Sequence, residues 1–326
     1  MNIFLTNESP ALINRVYGAD IQKQLGHLGI YSGSSLKHEN FQQVEYIFST
    51  WGMPALNEKD IKCHFPALKA VFYAAGSVQH FARAFLNCGV RVFSAWGANA
   101  VPVAEFCLAQ ILLANKGFYQ SAAMFKQGKR HEARAYTESL PGNFGTKIGL
   151  VGCGMIGGLT AQLLKPFRLE VLAYDPYLSD EKSAQLGVKQ CTLQQLFAQC
   201  HVISNHLPNN EHTKGMLGYE LFTQMRPNAV FINTGRGAQV NEAGLIRALE
   251  EQPGRTALLD VTEPEPPLPG SPLYQLPNVV LTPHIAGSTG TEVARMGEFM
   301  FAEFCALRNG GNIQYEITQN MLATMA

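Results

Sequence analysis

The run Gly152-Cys-Gly154-Met-Ile-Gly157 constrains this chain more than any other stretch. It follows a short apolar segment, 147–151, and opens an apolar helical stretch from Met155 to about Phe167. Glycines at these spacings between strand and helix have distinct tasks. The first lets the chain turn sharply, the second lets backbone approach a pyrophosphate, and the third lets the helix lie close on the strand. The helix N-terminus then aims its N–H groups at that pyrophosphate. A second strand-like segment ends at Asp175, 23 residues after Gly152, where a ribose hydroxyl would meet an acceptor. Strand before, helix after and acid at that distance make a dinucleotide site the expectation.

The rest of the chain alternates in the same way. From Thr146 onward, strands are expected at 147–152, 170–175, 201–206, 229–233, 256–261 and 278–282, with a short one near 188–191. Helices lie between them, notably 192–200 and 241–251. The first hundred residues place strands at 3–6, 44–51, 69–75 and 91–96, and helices at 11–28, 57–64 and 78–88. This is an α/β pattern: two Rossmann-like, flavodoxin-like domains with doubly wound parallel sheets, joined by long inter-domain helices. Asn99 to about Lys129 reads as one long helix, apolar on most sides and buried between domains. The polar stretch 128–145 has no clear period and reads as a surface excursion, an arm for a partner subunit. Six prolines make 263–277 an ordered loop. The last helix, 289–308, comes too late to serve the nucleotide sheet and is expected to return to the first domain. A substrate domain of 1–98 plus 286–326 and a dinucleotide domain of 99–285 follow.

Composition removes several alternatives. At 326 residues the chain accommodates two domains. Basic and acidic residues balance at 25 each, so no field of one sign recruits nucleic acid or a membrane surface. The N-terminus lacks a basic segment and carries Glu8, unlike a signal peptide, and no apolar run reads as a membrane span. Seven scattered cysteines, none in a C-x-x-C pair, fit reduced thiols in a cytoplasmic protein and imply no metal site. His131-Glu132 lacks the second histidine of a zinc helix. His206 reads as structural, and His201 and His212 as surface residues.

Polar residues follow three successive strands, where open α/β sheets bind ligands. Arg236 follows 229–233, Asp260 with Glu263 and Glu265 comes at and beyond the end of 256–261, and His284 follows 278–282. Such a set beside a nicotinamide suits hydride chemistry on a 2-hydroxy acid. A guanidinium fork holds a carboxylate. A histidine exchanges the hydroxyl proton near neutral pH, and a carboxylate on its other nitrogen fixes the tautomer.

These segments resemble the D-isomer-specific 2-hydroxyacid dehydrogenase family. The resemblance is carried by Gly152–Gly157, Asn233-Thr-Gly-Arg236-Gly237, Asp260-Val-x-x-x-Glu265-Pro and Thr282-Pro-His284-Ile-Ala-Gly287. Asn99-Ala-Val-Pro-Val-Ala-Glu105 and His206-Leu-Pro208-Asn-Asn-Glu-His-Thr213 add to it. It implies that Arg236 binds the substrate carboxylate, that His284 is the acid/base, and that Glu265 rather than Glu263 is its partner. It assigns Gly152, Gly154, Met155, Ile156, Gly157, Asp175, Leu207, Pro208, Thr213, Thr234 and Asp260 to the cofactor, with Asp260 at the nicotinamide carboxamide. It assigns the loop Ala75-Gly76-Ser77 to the substrate carboxylate.

Two departures bear on substrate. Val78 stands where the family commonly carries Asp, and Ser49–Met53 lacks the Arg that relatives acting on strongly anionic substrates place there. Trp51 and Met53 would instead wall a pocket for a less charged or bulkier group. Asp175 with no following cation favours NAD over NADP. The expectation is an NAD-dependent dehydrogenase for a small 2-hydroxy/2-keto acid pair, acting as a homodimer without nucleic acid, membrane or metal. The alternative is a non-catalytic NAD(H)-sensing interaction protein on the same fold.

Overall fold

The computed structural model describes residues 1–323. They divide into two units, Met1–Ala100 with the chain from Ser288 onward, and Val101–Gly287. The divisions fall at 100 and 288, against 98 and 286 from the sequence.

The first unit opens with five parallel strands: β1 (Asn2–Leu5), β2 (Ile30–Tyr31), β3 (Tyr46–Ser49), β4 (Ala70–Tyr73) and β5 (Arg91–Ser94). The second unit holds seven more, all parallel: β6 (Lys147–Val151), β7 (Glu170–Tyr174), β8 (Lys189–Gln190), β9 (Val202–Asn205), β10 (Val230–Asn233), β11 (Thr256–Leu259) and β12 (Val279–Leu281). The chain then re-enters the first sheet as β13 (Glu316–Ile317), antiparallel to β5.

The first sheet runs β13-β5-β4-β3-β1-β2. One of its faces carries a ladder of phenylalanines. Phe4, Phe48, Phe72 and Phe93 sit in register on neighbouring strands. Phe48 and Phe72 stack at 5.1 Å, and Phe72 and Phe93 at 4.7 Å. Phe304, from the helix Val293–Asn309, meets Phe48 and Phe72 edge-on at 5.2 and 5.6 Å. Burying each such ring contributes about 1.5–3 kcal/mol, with about 0.5–1.5 more per well-placed pair. This face draws the last helix back to the first sheet. The helix Pro10–Leu25 covers the same face; Ser9 caps it and Pro10 opens it.

The second sheet runs β12-β11-β10-β9-β6-β7-β8. The order reverses between β6 and β9, the switch point at which doubly wound sheets bind ligands. Every residue of β9, β10 and β11 is buried, as expected of central parallel strands covered on both faces.

Three elements depart from the sequence reading. The long helix is two: Trp96–Ala114 ends before Asn115-Lys-Gly117, and Phe118–Lys126 starts anew after Gly117, whose φ is 63°. A further helix, Arg130–Glu138, occupies the stretch read as aperiodic. Of its residues only Ala133 is buried, so there was no apolar face to betray it, and an Arg134–Glu138 pair at 2.6 Å supports it instead. Finally, Trp96–Ala114 is 19 residues long and apolar enough by composition to cross a membrane. Half of it is buried within the fold, with Val103, Cys107, Ile111 and Ala114 in the cores, so packing accounts for its apolarity.

Candidate active site

The glycine turn joins β6 to the helix Met155–Leu164. Gly152 has φ 92°, and a Cβ on it would sit 2.8 Å from the carbonyl oxygen of His206 after β9. A Cβ on Gly157 would overlap the Gly152 carbonyl. Gly154 differs: a Cβ there meets nothing within 4 Å. The turn is thus shut by protein at its first and third glycines and open at its second. That leaves space for a pyrophosphate against the backbone of Gly154, Met155 and Ile156, at the start of a helix.

Asp175, at the end of β7, braces this turn. Its two carboxylate oxygens accept from Cys153 N at 2.7 Å and Tyr177 N at 2.8 Å. Beside it lies a cavity of about 820 Å³, lined by Tyr174, Gln190, Thr192, Leu193 and Met216 among others. No lysine or arginine lines it, so a ribose 2′-phosphate would meet a carboxylate and no cation. The residues fit NAD. The Cys153 thiol is pushed up to about 12 by burial and by Asp175, so it stays protonated.

His206 is buried at its ring nitrogens, neither of which has a hydrogen-bond partner, and burial lowers its pKa to about 4. It is a neutral packing group beside the turn. His201, read as a surface residue, is only 3% exposed and is likewise lowered to about 4. It lies just before β9, whose burial on both faces extends to it.

An amide cluster that the sequence reading missed supports the next segment. Asn205 Nδ2 donates to Asn233 Oδ1 at 3.0 Å and to Gln239 Oε1 at 2.5 Å. Gln239 Nε2 donates to the carbonyls of Leu207 and Pro208, at 2.6 and 2.9 Å. Asn233 Nδ2 donates to Arg236 O, and Arg236 N donates to Gln239 Oε1. Thr213 Oγ1 donates to Pro208 O at 2.6 Å. The cluster therefore binds the 205–213 turn to the turn that presents Arg236. Its only sequence signal is an asparagine ending each of two apolar strands. Thr234 lies in the same turn, its Oγ1 3.3 Å from Cys107 Sγ.

Arg236 donates from Nη1 to Gly235 O at 2.6 Å, and its other side-chain N–H groups have no partner among the described residues. Burial lowers its pKa, opposed by the nearby Glu265 carboxylate. It remains cationic, since a guanidinium starts far above neutrality. A half-buried cation with unused donors is a seat for an anion.

His284 Nδ1 lies 2.7 Å from Glu265 Oε1. A carboxylate only accepts, so Nδ1 carries the proton and Nε2 is left for other work. Glu263 has no such contact. His284 adopts φ 54°, uncommon for a residue with a side chain. Asp260 holds it there. This carboxylate is 4% exposed; Oδ1 accepts from Thr282 Oγ1 at 2.5 Å and Ile285 N at 2.8 Å, and Oδ2 accepts from Ala286 N at 2.9 Å. His284 N donates to Asp260 O at 3.1 Å. Asp260 thus anchors the turn on both sides of the histidine.

In the first unit, Ala75-Gly76-Ser77 follows β4. Ser94 Oγ donates to the carbonyls of Ala75 and Gly76, at 2.8 and 2.6 Å. The N–H groups of Gly76 and Ser77 have no partner among the described residues. Val78 is fully buried beside Tyr73 and Phe81 in the core, where a carboxylate would be unpaired. Met53 is also a core residue at 3% exposure, so it does not wall a pocket, whereas Trp51 is 37% exposed.

Known proteins resemble this chain in sequence and in fold. Residues 108–286 match the model of the D-isomer specific 2-hydroxyacid dehydrogenase NAD binding domain. A D-3-phosphoglycerate dehydrogenase of Archaeoglobus fulgidus is 35% identical over 222 residues, covering 68% of this chain and 42% of that protein. The chain thus spans less than half of the length of that relative. A glyoxylate reductase of Korarchaeum cryptofilum is 31% identical over 247 residues, covering 75% of this chain and 74% of its own. The solved structure of a D-mandelate dehydrogenase from Rhodotorula graminis superposes with a TM-score of 0.81 at 20% identity, over 98% of each chain, and shares the fold. With its glycine turn, its strand order and more than half its length matched, the chain belongs to the D-isomer specific 2-hydroxyacid dehydrogenase family and carries that family's NAD-binding domain.

Proposed function

We propose that the chain is an NAD-dependent oxidoreductase interconverting a D-2-hydroxy acid and its 2-keto acid. The observation that carries this reading is the His284–Glu265 contact with Nε2 left free, made across the ends of β12 and β11, with Arg236 at the end of β10, the next strand in the sheet. Bound cofactor supplies or takes up the hydride. In the reductive direction His284 Nε2 gives its proton to the substrate oxygen as the alcohol forms, and Glu265 stabilises the charged ring and holds its tautomer. Arg236 binds the carboxylate and draws charge toward the carbonyl oxygen. In the first unit, Ala75 and the free N–H groups of Gly76 and Ser77 are suited to an anion such as a carboxylate, and Trp51 is an exposed aromatic suited to a substrate's tail. Cys153–Ile156, Asp175, Leu207, Pro208, Thr213 and Thr234 hold the cofactor, and Asp260 shapes its nicotinamide end.

The seven cysteines are all unpaired, which supports a reducing, cytoplasmic setting. A homodimer is supported by the helix Phe118–Lys126, which buries no residue, and by Phe118, Phe125 and Phe144, exposed at 49, 62 and 71%.

His284→Ala tests the reading. Turnover of NADH with glyoxylate or hydroxypyruvate falls by about 10²–10⁴-fold, while NADH binding, read by fluorescence titration, persists. Wild-type turnover in this variant would refute the assignment. Tight NADH binding without turnover on any 2-keto acid would favour a sensor.

A further inference from the structure

Arg236 is held from its backbone alone. Its guanidinium makes one hydrogen bond, to the carbonyl of its own neighbour Gly235, and no other side chain hydrogen-bonds to it among the described residues. Where the guanidinium points therefore depends on where the Arg236 backbone is set. Two buried amides set it. Gln239 Oε1 accepts from Arg236 N at 3.1 Å, and Asn233 Nδ2 donates to Arg236 O at 3.2 Å. Gln239 also reaches the other way. Its Nε2 donates to the carbonyls of Leu207 and Pro208, at 2.6 and 2.9 Å. One fully buried side chain thus spans the turn after β9 and the turn after β10.

This amide can sit one way only. Two backbone carbonyls require its NH₂, and a backbone N–H requires its oxygen. Asn205 Nδ2 is a second donor to that oxygen, at 2.5 Å, while Asn205 Oδ1 accepts from Leu207 N at 3.3 Å. Both donors and both lone pairs of the Gln239 amide are then in use. Gly235 shows how closely the group is packed. A Cβ there would stand 2.5 Å from Gln239 Oε1 and 2.9 Å from Asn205 Nδ2. Neither turn can shift against the other without leaving buried polar groups unpaired. An apolar side chain could fill the same space, but it would carry no directional link between the turns.

We propose that Gln239 is a positioning residue: it registers Arg236 against the Leu207–Pro208 turn, so that the substrate carboxylate is held at a fixed place relative to the cofactor. The inference rests on the oxidoreductase reading above, in which Arg236 binds the carboxylate and Leu207 and Pro208 meet the cofactor.

The test is a double-mutant cycle on the full chain, with NADH and either glyoxylate or hydroxypyruvate. Gln239→Leu lowers kcat/KM at least about tenfold, since a misplacement of about 1 Å costs about 10² in rate. Gly235→Ala removes no polar group but drives its Cβ into the amide. It lowers kcat/KM in the same sense and serves if Gln239→Leu does not fold. In an Arg236→Ala background neither substitution lowers kcat/KM further, whereas each still lowers Tm. A drop in Tm with unchanged kcat/KM in the otherwise native chain would make the amide a packing group and overturn the inference. Losses that multiply with that of Arg236→Ala would also overturn it, because the amide would then act other than through the guanidinium. Both outcomes spare the reading beneath. A wild-type protein that binds NADH and turns over no 2-keto acid removes that reading and this inference with it.

Discussion

Replacing Asp260 by Asn separates two roles for one buried carboxylate. In the structure its three accepted hydrogen bonds pin Thr282, Ile285 and Ala286 around His284. An Asn can place its oxygen where Oδ1 stands and keep the first two bonds. Its NH₂ then faces the N–H of Ala286, which is 4% exposed and has no water to turn to. Leaving one buried donor unpaired costs about 1–3 kcal/mol, and the two remaining bonds weaken as the acceptor loses its charge. A total near 3 kcal/mol follows. For a unit of this size each kcal/mol lowers Tm by about 2–4 °C, so Asp260→Asn should melt about 6–12 °C lower. The turn is also held against the strain of a positive φ at His284. Once loosened, it lets the imidazole drift, and a 1 Å displacement costs about 10² in rate. Differential scanning calorimetry and kcat on one preparation read both effects. If Asp260 served only the nicotinamide carboxamide, Tm without cofactor would be unchanged and the NADH Kd alone would rise; that result would refute the anchoring role.

Other consequences are as specific. Gly154→Ala should leave Tm unchanged without cofactor and weaken NADH binding, because its Cβ enters open space, whereas Gly157→Ala should lower Tm through overlap with the Gly152 carbonyl; titration and melting of both variants check this. His201 and His206 have folded-state pKa values of about 4 against an ordinary 6.5. The unfolded chain therefore binds more protons between these values, so stability is full above pH 6.5 and lost as pH falls toward 4. Each contributes a loss of roughly 2 kcal/mol between pH 6.5 and 5, read as a drop in urea midpoint that His206→Phe should reduce. If the proposed homodimer forms through the helix Phe118–Lys126, Phe125→Glu should lower the sedimentation coefficient toward that of a monomer; an unchanged coefficient would refute that interface.

The sequence by itself determined the α/β class, the glycine turn with its acid, and the polar residues that end successive strands. Those signals are local: a side chain absent where backbone must pass, or a period repeated within a dozen residues. It missed Arg130–Glu138, because a helix that buries almost nothing leaves no apolar period. Two-residue strands such as β2 and β13 were equally invisible, being defined only by their neighbours. Only the tertiary structure could show that His201 is buried and that Met53 belongs to a core. Only it could show Asp260 gripping residues 22 to 26 positions away. Burial and long-range hydrogen bonds depend on which segments meet, and no single stretch of chain records that. The pattern could place His284 after a strand, but its proximity to Glu265, 2.7 Å away, exists only once Asp260 has folded the turn back.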